Sequence, residues 1–316
     1  MMDYTDRHCR YLHRLYAPHA LLYTEMIVAA AIVRGNAGRL LGHDAAEHPV
    51  ALQLGGSDPA ELAAAARLGA AAGYAEINLN VGCPSERVKQ GSFGACLMAY
   101  PALVADCIRR MRDAVAVPVT VKCRIGIDDR DDYEFFSGFV EAVHSAGADA
   151  VIVHARKAIL RGLSPKQNRQ IPPLNYPFVQ RLKREMPSLP LVINGGFAAV
   201  DAVSDQFAAG LDGVMLGRAV YERPALLADL ERTLIDPEWQ VPSPWQIIEG
   251  MVSYARQGMA RGERLHAVSR HMHGLLAGRE GARAWRRFLS DVAGRSNAVP
   301  ESLYAARGII ESSAIA

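Results

Sequence analysis

Tyr74-Ala-Glu-Ile-Asn-Leu-Asn80, running directly into Val81-Gly-Cys83-Pro84, is the stretch on which the fold turns. Its mixture of β-branched and apolar residues predicts a buried strand, and Gly82 with Pro84 stops that strand abruptly. Cys83 therefore stands at a strand's carboxyl end. In α/β proteins those ends collect the chemistry, because neighbouring strands deliver side chains to one crevice. The competing reading is a small hydrophobe in an ordinary turn, since cysteine packs well in cores.

Outward from this strand, short β-rich runs alternate with longer Ala-rich helical runs, the pattern of βα units and a parallel sheet. Strands are expected at residues 21–25, 50–55, 75–80, 117–124, 150–154, 189–194 and 213–216. Helices are expected at 59–72, capped by Ser57 or Asp58, and at 101–114, where Arg109, Arg110 and Arg112 mark a wet face. From Pro242 onward the strands cease, and 245–262, 265–276 and 282–292 read as helices. The expectation is an α/β fold: a (β/α)8 TIM barrel in residues 1–238, followed by a C-terminal helical domain in 239–316. Seven strands fall one short of closure, and the deficit is at the start. Met1-Met-Asp-Tyr-Thr-Asp6 reads as the turn after a first strand, with Thr5 capping a helix over 6–16. The first strand is thus expected to be missing from this chain, as when an internal Met is taken as the start.

With 316 residues, half of them hydrophobic and 22% charged, the composition is that of a soluble globular protein able to bury a large core. Cys9, Cys83, Cys96, Cys107 and Cys123 are odd in number and lack the spacing of a metal site or disulfide framework, which fits a reducing cytoplasm. Asp3, Asp6, Arg7, His8 and Arg10 occupy the place where a signal peptide needs apolar residues. The most apolar early stretch, 26–33, is far shorter than the roughly 20 residues of a membrane span. Neither membrane association nor a protein partner is expected. The net charge of +2 hides an uneven distribution: residues 156–184 hold eight Lys or Arg and no acid, and 251–295 hold nine Arg against three acids.

Several polar residues share the level of Cys83. Lys122, in Val119-Thr-Val-Lys122-Cys-Arg124, lies late in a strand and needs an anion if it turns inward. It would then serve as a Schiff-base nucleophile, with burial lowering its pKa, or stabilise a bound anionic ring; otherwise it snorkels out at the strand end. His154 ends Val151-Ile-Val-His154, and Gln53 in Ala51-Leu-Gln53-Leu offers an amide donor and acceptor at an equivalent level. Asn194-Gly195-Gly196 and Leu216-Gly217-Arg218 end the last two strands. Their backbone N–H groups can close on an oxyanion with Arg218 forking onto it, where barrels commonly bind phosphate. A phosphate-bearing cofactor is implied.

The basic segment from His154 to Pro173 includes Arg161, Lys166 and Arg169, and a second basic set, Arg279, Arg283, Arg286, Arg287 and Arg295, is interleaved with Trp285 and Phe288. Arginine with aromatics suits phosphate backbones and exposed bases. The plainer alternatives are a solvated charge run and aromatics that pack the helical domain's core. Asp128-Asp-Arg-Asp-Asp132, just before a helical run, is read as a cap that complements the helix dipole, and no metal is expected.

Taken together, these residues resemble the tRNA-dihydrouridine synthases, and specifically the synthase A branch, over nearly the whole chain. The resemblance rests on the Asn78 to Pro84 turn with Gln90-Gly-Ser-Phe-Gly-Ala-Cys96-Leu-Met98, Val121-Lys122 with Arg124, the Arg156-Lys-Ala to Pro173 loop, Asn194-Gly-Gly, Gly217-Arg218 and Gly281-Ala-Arg-Ala-Trp-Arg-Arg287. It implies an FMN-dependent enzyme, re-reduced by NADPH, that reduces the C5=C6 bond of uridine in the tRNA D-loop at positions 20 and 20a. By resemblance, Cys83 donates the proton to C5 after hydride reaches C6, a sensible role for a thiol whose ordinary pKa of about 8.5 keeps it protonated at neutral pH. Gln53, Lys122 and His154 would contact the flavin, and Asn194, Gly195, Gly196, Gly217 and Arg218 its phosphate. Asn80 would touch the uridine, and Lys166, Arg169, Arg283 and Arg286 would grip tRNA. Of the family's Ala-Pro-Met-Met turn against the flavin, only Met1 and Met2 remain. Two other readings stand beside this one: a barrel aldolase using Lys122, and a tRNA-binding protein without catalysis.

Overall fold

Seven parallel strands lie side by side in chain order: β1 (Leu22–Val28), β2 (Val50–Gly55), β3 (Glu76–Val81), β4 (Val119–Arg124), β5 (Ala150–His154), β6 (Leu191–Asn194) and β7 (Gly213–Met215). The computed structural model describes residues 1–293, 295 and 297–314. Helices alternate with the strands, as the βα pattern requires. Among the described residues β1 and β7 pair with no further strand, so they form the two edges of a curled barrel sheet. This is the expected TIM-barrel architecture less one strand.

The period-2 alternation of the strands divides them into two faces. On the outer face Leu52 and Ile77 are fully buried, and a Cβ added to Gly69 in the helix Pro59–Ala71 would strike both. On the inner face the register aligns polar residues in rows: Gln53 with Asn78, Asn78 with Thr120, Asn80 with Lys122, Arg124 with His154, and His154 with Asn194. A barrel whose interior is this polar holds its centre by hydrogen bonds as well as by packing.

The capping chemistry follows the sequence with one correction. Asp58 accepts from the N–H groups of Ala60 and Glu61, and Asp132 caps Tyr133–Ser145 by accepting from Phe135. The helix Arg7–Tyr16 is capped by Asp6, which accepts from His8 and Cys9. Thr5 does not cap it, because the helix begins at Arg7 and Thr5 stands one residue before the cap position; its hydroxyl accepts from the Met1 amino group instead. Among the described residues, no cluster of His, Cys, Asp or Glu could hold a metal ion, and no helix is long and apolar enough to cross a membrane.

Beyond the sheet, Pro244–Ala260 starts with a capping box of Ser243 and Gln246, and Ala282–Ala293 follows as expected. The helix expected over 265–276 is broken into Leu265–Ser269 and a 3-10 turn, Arg270–Gly274. Gly274, at the end of that turn, lies against the Glu222 carbonyl oxygen, which a Cβ there would approach to 2.5 Å. These helices sit on Arg7–Tyr16, where His8 bonds Tyr254 at 2.9 Å and Asp6 pairs with Arg270 and His271. Trp285 is fully buried and donates its indole N–H to the Met272 carbonyl at 2.8 Å. Its ring therefore packs the core and is unavailable to a nucleic-acid base.

Candidate active site at the carboxyl ends of the strands

The turn after β3 is pinned from three directions. Asn80 Oδ1 accepts from the N–H groups of Gly82 (3.0 Å) and Cys83 (2.9 Å), a side-chain turn of the kind Asn favours. The Cys83 carbonyl accepts from Ala95 N–H at 2.9 Å, and Arg124 Nε donates to the Gly82 carbonyl at 2.9 Å. Gly94, at φ +75°, permits this fit, since a Cβ there would lie 2.6 Å from the Cys83 oxygen. Of the other cysteines, Cys9, Cys107 and Cys123 are fully buried, with thiols pushed up to about 12 by burial. Cys96 donates to the Phe93 carbonyl. Cys83 is half-buried, on a rigid turn at the sheet's mouth.

Beside it stands a wall of cations. Lys122 Nζ donates to Asn194 Oδ1 at 3.1 Å, and Asn194 Nδ2 in turn donates to the Met215 carbonyl at 2.7 Å. Burial, with Arg124 adjacent, brings the Lys122 ammonium down to about 8. Arg124, 3% exposed, also donates to the carbonyls of Lys157 and Asn168, tying the basic loop to the Cys83 turn. His154 is held well below its ordinary value by burial and by Arg124, Lys122, Arg156 and Arg218, so it is neutral at pH 7. Arg169 comes within electrostatic reach of Arg218, Tyr4 and Cys83, and its Nε is buried without a partner among the described residues. None of Lys122, Arg124, Arg156, Arg169 and Arg218 has a carboxylate at ion-pair distance among the described residues. For Lys122 and Arg124, positive charge withdrawn from water without a counter-charge is costly, so the donor set fits an anionic ligand.

The last two strands add a backbone cradle. Gly195 and Gly196 adopt φ of +124° and +81°, where a Cβ would strike His154 at 2.9 Å and the Tyr176 hydroxyl at 2.9 Å respectively. Tyr176 braces the turn by donating to the Gly195 carbonyl at 2.6 Å. A Cβ on Gly217 would lie 3.2 Å from Met1 Sδ, so the chain's first residue closes over the end of β7. Burial brings the Met1 amino group down to about 6, with Glu25 opposing.

The fold thus gathers Met1, Gln53, Asn80, Cys83, Lys122, His154, Asn194, Gly195, Gly196, Gly217, Arg218 and Arg169 at one mouth. Met2 is exposed, and Lys166 is exposed on the adjoining loop. Arg283 and Arg286 lie apart, exposed on Ala282–Ala293.

The family model of the dihydrouridine synthases matches residues 1–309. The chain belongs to the dihydrouridine synthase family. Among its relatives are proteins named tRNA-dihydrouridine(20/20a) synthase. That of Xanthomonas campestris pv. campestris is 53% identical over 298 residues, covering 94% of this chain and 88% of the relative. That of Pasteurella multocida is 51% identical, covering 94% and 90%. That of Escherichia coli strain K12 is 50% identical over 299 residues, covering 94% and 86%.

In this dihydrouridine synthase, sequence reasoning gave no role to several residues that the site depends on. Arg124 lies two positions after Lys122, so strand alternation alone puts both on the inner face. Asn168 is fully buried and holds the basic loop by accepting from Ile159 N–H and donating to its carbonyl. Only its place as a polar residue between Lys166 and Arg169 could have drawn notice. Asn194 and Gln53 were expected at the cofactor. Each also makes protein hydrogen bonds through both ends of its amide, to Lys122 and Met215 in one case and to Asn80 and Asn78 in the other.

Proposed function

We propose that this chain reduces the C5=C6 bond of uridine at positions 20 and 20a of the tRNA D-loop, using FMN re-reduced by NADPH, with Cys83 as the proton donor. The observation that carries the reading is the half-buried Cys83 on its pinned turn, facing cations that lack carboxylates, in a chain of this family.

The residues present fit FMN. The Gly195–Gly196 turn and Gly217 leave backbone open where side chains would clash, and Arg218 adds a guanidinium suited to phosphate. When bound, the flavin supplies the hydride that C6 receives. Cys83 Sγ holds the proton destined for C5, with Lys122 and Arg124 within electrostatic reach of it, and water returns the proton afterwards. Lys122, steered by Asn194, favours negative charge at the cofactor. His154, kept neutral by burial and by its cationic neighbours, hydrogen-bonds without adding charge.

In this reading residues 1–238 form the FMN-binding barrel and 239–316 a helical tRNA-binding domain, and the protein works in the cytoplasm. Met1 and Met2 flank the cofactor, Asn80 meets the uridine, and Lys166, Arg169, Arg283 and Arg286 bind phosphates. Family membership displaces the aldolase reading of Lys122. The test is to incubate the chain with FMN, NADPH and tRNA lacking dihydrouridine, then map the modification by mass spectrometry. Dihydrouridine at positions 20 and 20a supports the proposal; tRNA binding with neither NADPH oxidation nor dihydrouridine supports a binding protein instead.

A further inference from the structure

Inside the sheet, hydrogen bonds run in unbroken sequence from the Cys83 turn to the opposite end of the strands. Cys83 N–H donates to Asn80 Oδ1 (2.9 Å), Asn80 Nδ2 to Gln53 Oε1 (2.8 Å), Gln53 Nε2 to Asn78 Oδ1 (2.9 Å), Asn78 Nδ2 to Thr120 Oγ1 (2.8 Å), and Thr120 Oγ1 to Glu76 Oε1 (2.6 Å). Tyr23 of β1 donates to the same Glu76 oxygen at 2.7 Å. We infer that Thr120 and Glu76 are positioning residues for the reaction, which act through this one-way ladder to fix the Cys83 turn and the orientation of the Asn80 and Gln53 amides.

The direction is determined from both ends. At the mouth the Cys83 N–H can only donate, so Asn80 must turn its oxygen to it and its nitrogen to Gln53. At the base Glu76 Oε1 takes hydrogens from two hydroxyls, and it can do so whether or not its other oxygen is protonated. Thr120 owns one hydrogen; giving it to Glu76 leaves its oxygen to accept, and Asn78 must then present Nδ2. That turns the Asn78 oxygen to Gln53, the same order reached from above. Flipping any one amide would set nitrogen against nitrogen or oxygen against oxygen on both sides.

Below Asn80 the ladder is also dry. Asn78 is fully buried, and Gln53, Glu76 and Thr120 are all less than a tenth exposed. Water does not replace a lost rung, and each bond polarises the next. Asn80 Nδ2 and Gln53 Nε2 each spend one of their two N–H groups on the ladder, so among the described residues each keeps one N–H for whatever enters the mouth. A single isosteric change at the base should therefore reach the thiol through four intervening bonds.

This inference rests on Cys83 as the proton donor. The experiment compares Thr120→Val, which keeps shape and loses the hydroxyl, with Thr120→Ser, which keeps the hydroxyl. On the FMN-loaded protein three quantities are read: NADPH-driven flavin reduction, kcat and KM for tRNA, and the rate at which maleimide alkylates Cys83, resolved by peptide mass spectrometry. Thr120→Val should lower kcat for uridine reduction roughly tenfold and shift the Cys83 alkylation rate, with KM and flavin reduction within about twofold of wild type. Thr120→Ser should restore both. Equal behaviour of Val and Ser, or a parallel loss of flavin reduction and uridine reduction, would overturn the inference. Should Thr120→Val fail to fold, Asn78→Leu interrupts the same ladder and is read in the same way. Cys83→Ala, run alongside, separates the two ideas. If it retains turnover, the proton-donor reading is wrong; if it is inactive while Thr120→Val matches wild type, only the ladder is wrong.

Discussion

Lys122 Nζ reaches across the sheet interior from β4 to β6 and donates to Asn194 Oδ1 at 3.1 Å, with no carboxylate to neutralise it among the described residues. Burial lowers its ammonium to about 8. An anion bound beside it raises that value again, so binding takes up a proton above pH 8. FMN affinity should consequently be constant below pH 8 and weaken toward pH 9.5. Lys122→Met should weaken FMN at pH 7 by about 1.5–3 kcal/mol, roughly ten- to a hundredfold in Kd, and flatten the pH dependence. Flavin fluorescence titrations from pH 7 to 9.5 measure both; a Lys122→Met profile as steep as wild type would remove Lys122 from the site.

Cys83→Ala should retain FMN binding and the flavin absorption bands, and bind tRNA as wild type does. Dihydrouridine formation should fall by roughly 10²–10⁴-fold, the range general acids contribute. The turn itself survives the change, because Asn80, Ala95 and Arg124 all hold it through backbone atoms of residues 82 and 83. Single-turnover assays with pre-reduced enzyme isolate this step, and unchanged turnover would reassign the proton donor.

Arg283 and Arg286 are exposed on Ala282–Ala293, whereas Trp285 between them is buried in the core. The double variant Arg283→Ala, Arg286→Ala should weaken tRNA binding and reduce the salt slope of log K by about 1.5, leaving the flavin spectrum untouched. Trp285→Ala should instead lower stability by about 3–5 kcal/mol through loss of a buried indole and its bond to Met272. Filter binding at several salt concentrations and thermal melts distinguish the two. Unchanged salt dependence in the double variant would place the tRNA elsewhere.

These cases show which features are legible in a sequence. Strand ends marked by Gly, Pro or a polar residue, as at Cys83, His154 and Asn194, are local signals; all seven expected strands are present, though β1 runs past Glu25 to Val28. Thr5 and Asp6 are both capping residue types, and which of them caps depends on the helix starting at Arg7, a boundary that local signals do not fix to the residue. Trp285 had two sequence readings, and only tertiary packing separated them. The inner ladder was hidden for another reason. Glu76, Asn78 and Asn80 alternate in a way any reader can see, but their partners Gln53 and Thr120 are set by the register between strands, which no local pattern states.

Stability should fall as the solution is acidified through the imidazole range, because several histidines are held neutral in the fold. Burial, with repulsion from His271, brings His13 down to about 4; burial also lowers His8 and, with its cationic neighbours, His154. In the unfolded chain these side chains titrate near 6.5. Between the two values the unfolded state binds more protons, so stability rises with pH: its full contribution is present above about 6.5 and is lost toward 4. For His13 alone the difference amounts to about 3 kcal/mol at pH 4. Glu47 and Glu76, raised by burial, act in the opposite sense over part of this range, so the absolute slope is a composite. The informative comparison is between wild type and His13→Gln. The variant should melt at a temperature that depends less on pH from 7 down to 4.5, and equal slopes for the two proteins would show that His13 takes up protons alike in the folded and unfolded chain.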